Sequence, residues 1–103
     1  MTDRYDGKPF LRLLDSYVLD AIGHLDEANR KWLTASEPHF RETFGQGDTW
    51  QAIVAQRMQF GPQMPAAIRE IWEKGRVKFV DRDGTEPDPV QFTQTFVDTK
   101  FPH

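Results

Sequence analysis

The 103-residue chain sets 13 Lys and Arg against 16 Asp and Glu, a net charge of −3, and has no cysteine. That length suits one hydrophobic core rather than two. The mild acidity gives no general attraction for phosphate or an anionic membrane surface, and the missing thiols exclude disulfides, thiolate zinc sites and cysteine nucleophiles.

The opening MTDRYDGKPF has no apolar run before Pro9, so residues 1–7 are expected as a flexible lead-in rather than a signal peptide or anchor. Phe10, Leu13, Leu14, Tyr17, Val18 and Ala21 then recur at helical spacing, with Pro9 suited to the first turn and Gly23 to the closing left-handed position. Leu11, Leu19 and Ile22 widen this apolar face beyond what one neighbour covers, which predicts a central helix over 9–22. Asp26 reads as the cap of a second helix carrying Ala28, Trp32 and Leu33, broken near 34–37 by Pro38. Ser36 then caps a short helix with Phe40 and Phe44 that ends at Gly45.

The stretch DTWQAIVAQRMQFGPQMPAAIREIWEKG, residues 48–75, predicts two helices joined by a Gly/Pro break. Asp48 and Gln51 have capping-box spacing, and Trp50, Ile53, Val54 and Met58 form a stripe over 49–59. Pro65 opens the next helix, over 64–74, in which Met64, Ala67, Ile68, Ile71 and Trp72 form a stripe and Gly75 supplies the stop. Glu70 and Lys74 pair at i, i+4 on its wet side. Alternation in Val77, Phe79 and Val80, followed by Asp83-Gly84, predicts a short extended or hairpin segment near 76–86. Asp88, Pro89 and Gln91 repeat the helix-start signature, and a last helix over 89–99 carries Phe92 and Phe96 on one side and Val90, Thr93 and Val97 on another. The expected fold is mainly α, a compact single-domain bundle of four to six helices spanning 1–103.

A DNA-reading helix-turn-helix in 49–75 requires polar or basic residues at the start of its second helix. Here that start is PQMPAAI, and Asp48 to Arg76 holds four basic residues (Arg57, Arg69, Lys74, Arg76) against three acidic ones (Asp48, Glu70, Glu73). Nucleic acid is a disfavoured partner. In VDRDGTEPD, aligning Gly84 with the glycine of an EF-hand loop puts Phe79 and Val90 where carboxylates are needed, so a solvated turn is expected instead of a calcium site. His24, His39 and His103 are the only imidazoles. His39 and Glu42 share a helix face, but no Glu-x-x-His occurs anywhere, and surface roles are expected for His24 and His39, with His103 at a frayed end. Nucleophile elbows and phosphate-binding glycine loops are absent, and the only serines, Ser16 and Ser36, fall within helix 1 and at a cap.

No metal, cofactor or catalytic residue is therefore expected. What the chain has in excess is aromatic surface: three Trp, two Tyr and eight Phe. Trp32, Phe60, Trp72, Phe92 and Phe96 are the candidate interface or pocket residues, weighed evenly against simple filling of an irregular core. The expected role is a small cytoplasmic interaction module acting through apolar helix surfaces on a protein partner or a second copy, and no segment approaches the roughly 20 apolar residues that span a membrane. The alternatives are a DNA-binding domain using the 49–75 pair, and a small-molecule binder or enzyme with an aromatic pocket between helices.

Overall fold

The computed structural model describes residues 4, 5, 7–45 and 47–101. They form six helices and no strand: α1 (Pro9–Ala21), α2 (Glu27–Ala35), α3 (Glu37–Phe44), α4 (Trp50–Met58), α5 (Met64–Asp83) and α6 (Pro89–Lys100). No described helix is long and apolar enough to cross a membrane.

α1 is the central element its wide apolar face predicts. Leu11, Leu13, Leu14, Tyr17, Val18 and Ile22 are all buried, and the helix packs against α4, α5 and α6. Each large aliphatic side chain withdrawn from water in this way contributes about 1.5–3 kcal/mol. Its end is the predicted glycine stop: Gly23 takes φ 78°, its N–H donates to Asp20 O at 3.1 Å, and the His24 N–H donates to Leu19 O at 2.9 Å. Those two bonds satisfy carbonyls the helix leaves open.

α2 and α3 are separated by Ser36 alone, and Asp26 caps α2 by accepting from the Asn29 N–H at 2.7 Å. The cap of α4 differs from the capping-box expectation. Thr49, one residue after Asp48, accepts from the Ala52 N–H at 3.1 Å. Gln51 turns instead toward Asp20, and Glu37 of α3 accepts from the Trp50 N–H at 2.8 Å. A carboxylate from a neighbouring helix thus does the work assigned to the local box, which brings α3 onto α4.

The segment expected to be extended near 76–86 is helical as far as Asp83. Gly75 stays inside α5, and the stop is Gly84, at φ 74° with its N–H donating to Val80 O at 2.8 Å. Trp72, Phe79 and Val80 recur at i, i+7 and i+8, so helical spacing continues through a stretch whose β-branched residues imitate a strand. The predicted stripe of this helix is also narrower than expected. Ile68 and Trp72 are its only buried residues, Met64 is half-buried, and Ala67 and Ile71 are exposed.

α6 starts as predicted, with the Asp88 carboxylate accepting from the Val90 N–H at 2.8 Å and Pro89 in the first turn. Thr93, Phe96 and Val97 are buried, while Val90 is exposed. Among the described residues the buried Thr93 hydroxyl has no hydrogen-bond partner, a desolvation cost with no return. Thr93→Val keeps the branched shape and removes that group, so it is expected to stabilise the fold by about 1 kcal/mol. A higher urea midpoint at unchanged m-value checks this, and an unchanged or lower midpoint contradicts it.

Candidate functional site

The aromatic side chains assemble into two groups. In the first, Trp72 lies 4.9 Å from Phe92 between ring centroids, Phe92 lies 5.7 Å from Phe96, and Phe96 lies 5.4 Å from Phe101. Phe101 continues to Phe60 at 5.0 Å, and Phe60 to Tyr17 at 5.4 Å. In the second, Trp32 meets Phe40 edge-on at 5.8 Å, and Phe40 leads to Phe44 and Phe10. Three of the five candidates, Trp72, Phe92 and Phe96, therefore come together. Phe60 joins them through Phe101. Trp32 belongs to the other group, 43% exposed, with the Arg12 guanidinium stacked 4.1 Å above its ring.

Trp72, Phe92 and Phe96 border a cleft of about 480 Å³ between α5 and α6. The cleft exists because both helices rest on α1 while α5 outruns the core, with no buried residue after Trp72. Phe79, two helical turns beyond Trp72, is half-buried on the cleft wall, and Thr95, Thr99 and Lys100 of α6 form the opposite rim. Trp72 and Phe96 are themselves buried in the core, so the floor of the cleft is part of the packed interior while its upper wall stands outside it. Arg76 of that wall pairs with Glu86 at 2.7 Å, and Glu70 pairs with Lys74 at 2.9 Å on the exposed side of α5. Solvent-exposed pairs of this kind add little to stability.

A buried polar cluster escaped the sequence reading. Asp15 of α1 is 2% exposed and is gripped by Arg4 through Nε to Oδ2 at 2.8 Å and Nη2 to Oδ1 at 3.1 Å. The Tyr5 hydroxyl donates to the same Oδ2 at 2.9 Å, and Arg4 also reaches Asp98 of α6 at 3.0 Å. Of the lead-in expected to be flexible, Arg4 thus ties α1 to α6 and Tyr5 adds a bond to α1; Met1–Asp3 and Asp6 lie outside the described residues. The hydrogen bonds to Asp15 and Asp98 hold the Arg4 guanidinium well above its ordinary range. Burial, then the bond to Asp15, pushes the Tyr5 phenol from 10.0 up to about 12. A pKa raised in the folded state gives stability that is complete below the ordinary value and lost as pH rises through the raised one. In a tyrosinate absorbance titration, one phenol is expected to ionise only near pH 12. Tyr5→Phe should remove that phase, and its persistence in the variant would assign it elsewhere.

The histidines bring no ligand set together. His24 stands edge-on to Trp72 at 5.4 Å, His39 lies beside Phe40, and His103 is outside the described residues. Among the described residues no group of three His, Asp or Glu side chains is arranged to hold a metal. In the stretch read as a solvated turn, Gly84 closes α5 and Asp88 caps α6. α5, the second helix of the 49–75 pair, has no acidic residue in its first turn and places exposed Pro65, Ala66 and Ala67 there, with its first cation at Arg69. The chain matches no family model, no curated protein and no solved structure.

Proposed function

We propose that this chain is a small interaction module that pairs with a second copy of itself through the α5–α6 face. The observation carrying this reading is the second half of α5, which continues the apolar stripe through Phe79 yet buries no side chain. One patch therefore carries both a projecting ridge and an open aromatic cleft. A two-fold contact needs that self-complementarity, because the same surface serves both partners. Gly75 supports the reading. A glycine inside a helix costs about 1 kcal/mol relative to alanine, and among the described residues nothing beyond its own stretch of helix lies within 4 Å of where its Cβ would stand. No contact among the described residues needs that side chain missing, whereas a backbone approaching from outside does. A cytoplasmic setting suits such a module, since the chain has no thiol to exploit an oxidising compartment.

Sedimentation velocity over a concentration series tests the proposal. Dimer is expected in the wild type and monomer in Phe79→Asp, with unchanged helicity in both. A wild type that stays monomeric throughout overturns it. Gly75→Ala separates the glycine's two consequences: the isolated chain should gain up to about 1 kcal/mol of stability while association weakens. Stronger association in that variant would contradict the close approach.

The cleft volume favours a second reading, since about 480 Å³ lies within the range of small-ligand pockets. A monomer that retains a small mass in native mass spectrometry would select it.

A further inference from the structure

A second recess, away from the α5–α6 cleft, is lined by a phenol whose hydroxyl the fold leaves unused. The Tyr17 ring is packed in the core, the residue being 5% exposed, while its hydroxyl has no hydrogen-bond partner among the described residues and stays accessible rather than enclosed. A phenol with its ring in the core and its hydroxyl at the wet end is free to bond a molecule from outside. The recess, of about 250 Å³, lies where α1, α4 and the α4–α5 connection meet. It exists because small side chains face one another there: Ala21 from α1, and Ala52 and Ala55 from α4.

The two ends of the recess differ in chemistry. At one end, Asp20 and Gln51 stand beside Tyr17. Arg30 holds one Asp20 oxygen at 2.6 Å, and the Gln51 amide reaches the other only at 3.4 Å. Asp20 is charge-balanced by Arg30, so this end presents hydrogen-bonding groups with little net field. The Asp20 Oδ2 and the Gln51 carbonyl can accept, and the Tyr17 hydroxyl can donate. Burial first, and the Asp20 carboxylate second, raise the Tyr17 phenol above its ordinary value, which keeps that donor protonated at neutral pH. At the other end, Phe60, Pro62 and Pro65 form a flat apolar wall.

That wall is held in place at a conformational cost. Gln59 closes α4 at φ 60° and ψ 41°, a left-handed backbone that residues other than glycine rarely adopt. The turn brings Phe60 back over α1, 5.4 Å from the Tyr17 ring.

We infer that this recess binds a small neutral molecule with a flat apolar body and a head that both donates and accepts hydrogen bonds, such as a hydroxyl or a primary carboxamide. The head lies against Tyr17, Asp20 and Gln51, and the body lies against Phe60 and the two prolines. The volume admits a single ring with a short substituent. A carboxylate head has no proton to donate to Asp20 and finds no free cation, since Arg30 is already paired, and a bare hydrocarbon makes no use of the Tyr17 hydroxyl. The site is independent of the α5–α6 face and does not depend on pairing.

Amide-resolved NMR titration of the full chain tests this with benzamide, benzyl alcohol, toluene and benzoate as probes. Benzamide and benzyl alcohol are expected to shift the amides of Gln51, Ala52, Ala55 and Gly61 in a saturable way, and toluene and benzoate to bind at least several-fold more weakly. Tyr17→Phe should weaken benzamide by about fivefold to tenfold, the value of one hydrogen bond. Ala55→Met, which fills the recess from α4, should abolish the shifts. Thermal melts of both variants establish that they remain folded, and Ala55→Leu substitutes if the methionine variant does not. The proposal is overturned if the four probes bind alike, if Tyr17→Phe binds benzamide as the wild type does, if shifts centre on Trp72 and Phe92, or if a water molecule alone satisfies the Tyr17 hydroxyl up to the probes' solubility limits.

Discussion

Arg4→Met is expected to destabilise the fold by about 3–5 kcal/mol, because it strands a buried carboxylate. The Asp15 side chain is 3% exposed, and without the guanidinium only the Tyr5 hydroxyl remains, among the described residues, to solvate it. Removing both partners has a different outcome. In Arg4→Met/Asp15→Leu no charge is buried, the large desolvation cost of the pair disappears, and most of the loss should be recovered. Urea unfolding of the wild type, both single variants and the double variant measures the coupling. A double variant as unstable as Arg4→Met alone would mean that the arginine acts through packing or Asp98 rather than through Asp15.

Trp50→Ala is the other large effect, expected to cost about 3–5 kcal/mol. Trp50 is 1% exposed and is the largest of the fully buried side chains, so truncation opens a void next to Ile53 and Val54 in the same core. In a domain of this size the melting temperature should fall by more than about 15 °C. Trp32→Ala is the internal control. Its ring touches Arg12 and Phe40 from the surface, and its loss should cost about 1 kcal/mol. Equal losses at the two positions would place Trp32 in a larger buried contact than its exposure allows.

The elements legible in the sequence are those whose local chemistry and tertiary role agree. α1 shows its apolar spacing, its first-turn proline and its closing Gly23, and α6 shows Asp88 and Pro89; each is realised as read. Past Gly75 the sequence of α5 is ambiguous, because a glycine followed by Val77, Phe79 and Val80 satisfies both the helix-stop and the strand pattern while the helix continues to Asp83. Only the second glycine, Gly84, takes the left-handed conformation. Thr49 displaced Asp48 as the cap of α4 because Glu37, thirteen residues earlier, supplies the Trp50 N–H with its acceptor, and nothing local signals that.

For the candidate site, helical spacing alone could not tell which aromatics would meet. Trp72 and Phe92 lie on different helices and come together only because both helices rest on α1. The Arg4–Asp15 cluster did leave one signal. α1 is apolar on so much of its circumference that a carboxylate at its middle has no wet face to occupy, and such a residue must find a cation from elsewhere in the chain.

The bond from Arg4 to Asp98 joins positions 94 residues apart, and α6 lies directly on α1. The first and last helices are therefore spatial neighbours, and the contact between them closes a ring of nearly all the described chain. Closure entropy grows only with the logarithm of ring size, about 0.6 kcal/mol per doubling, so this union costs little more than a ring a quarter as long. Its kinetic consequence is larger, because contacts so distant in sequence form late. During synthesis α1 emerges before the three helices that cover it, and its face toward α6 stays open until α6 arrives. The interval between those two events is when this chain is most exposed to aggregation or to capture by a chaperone.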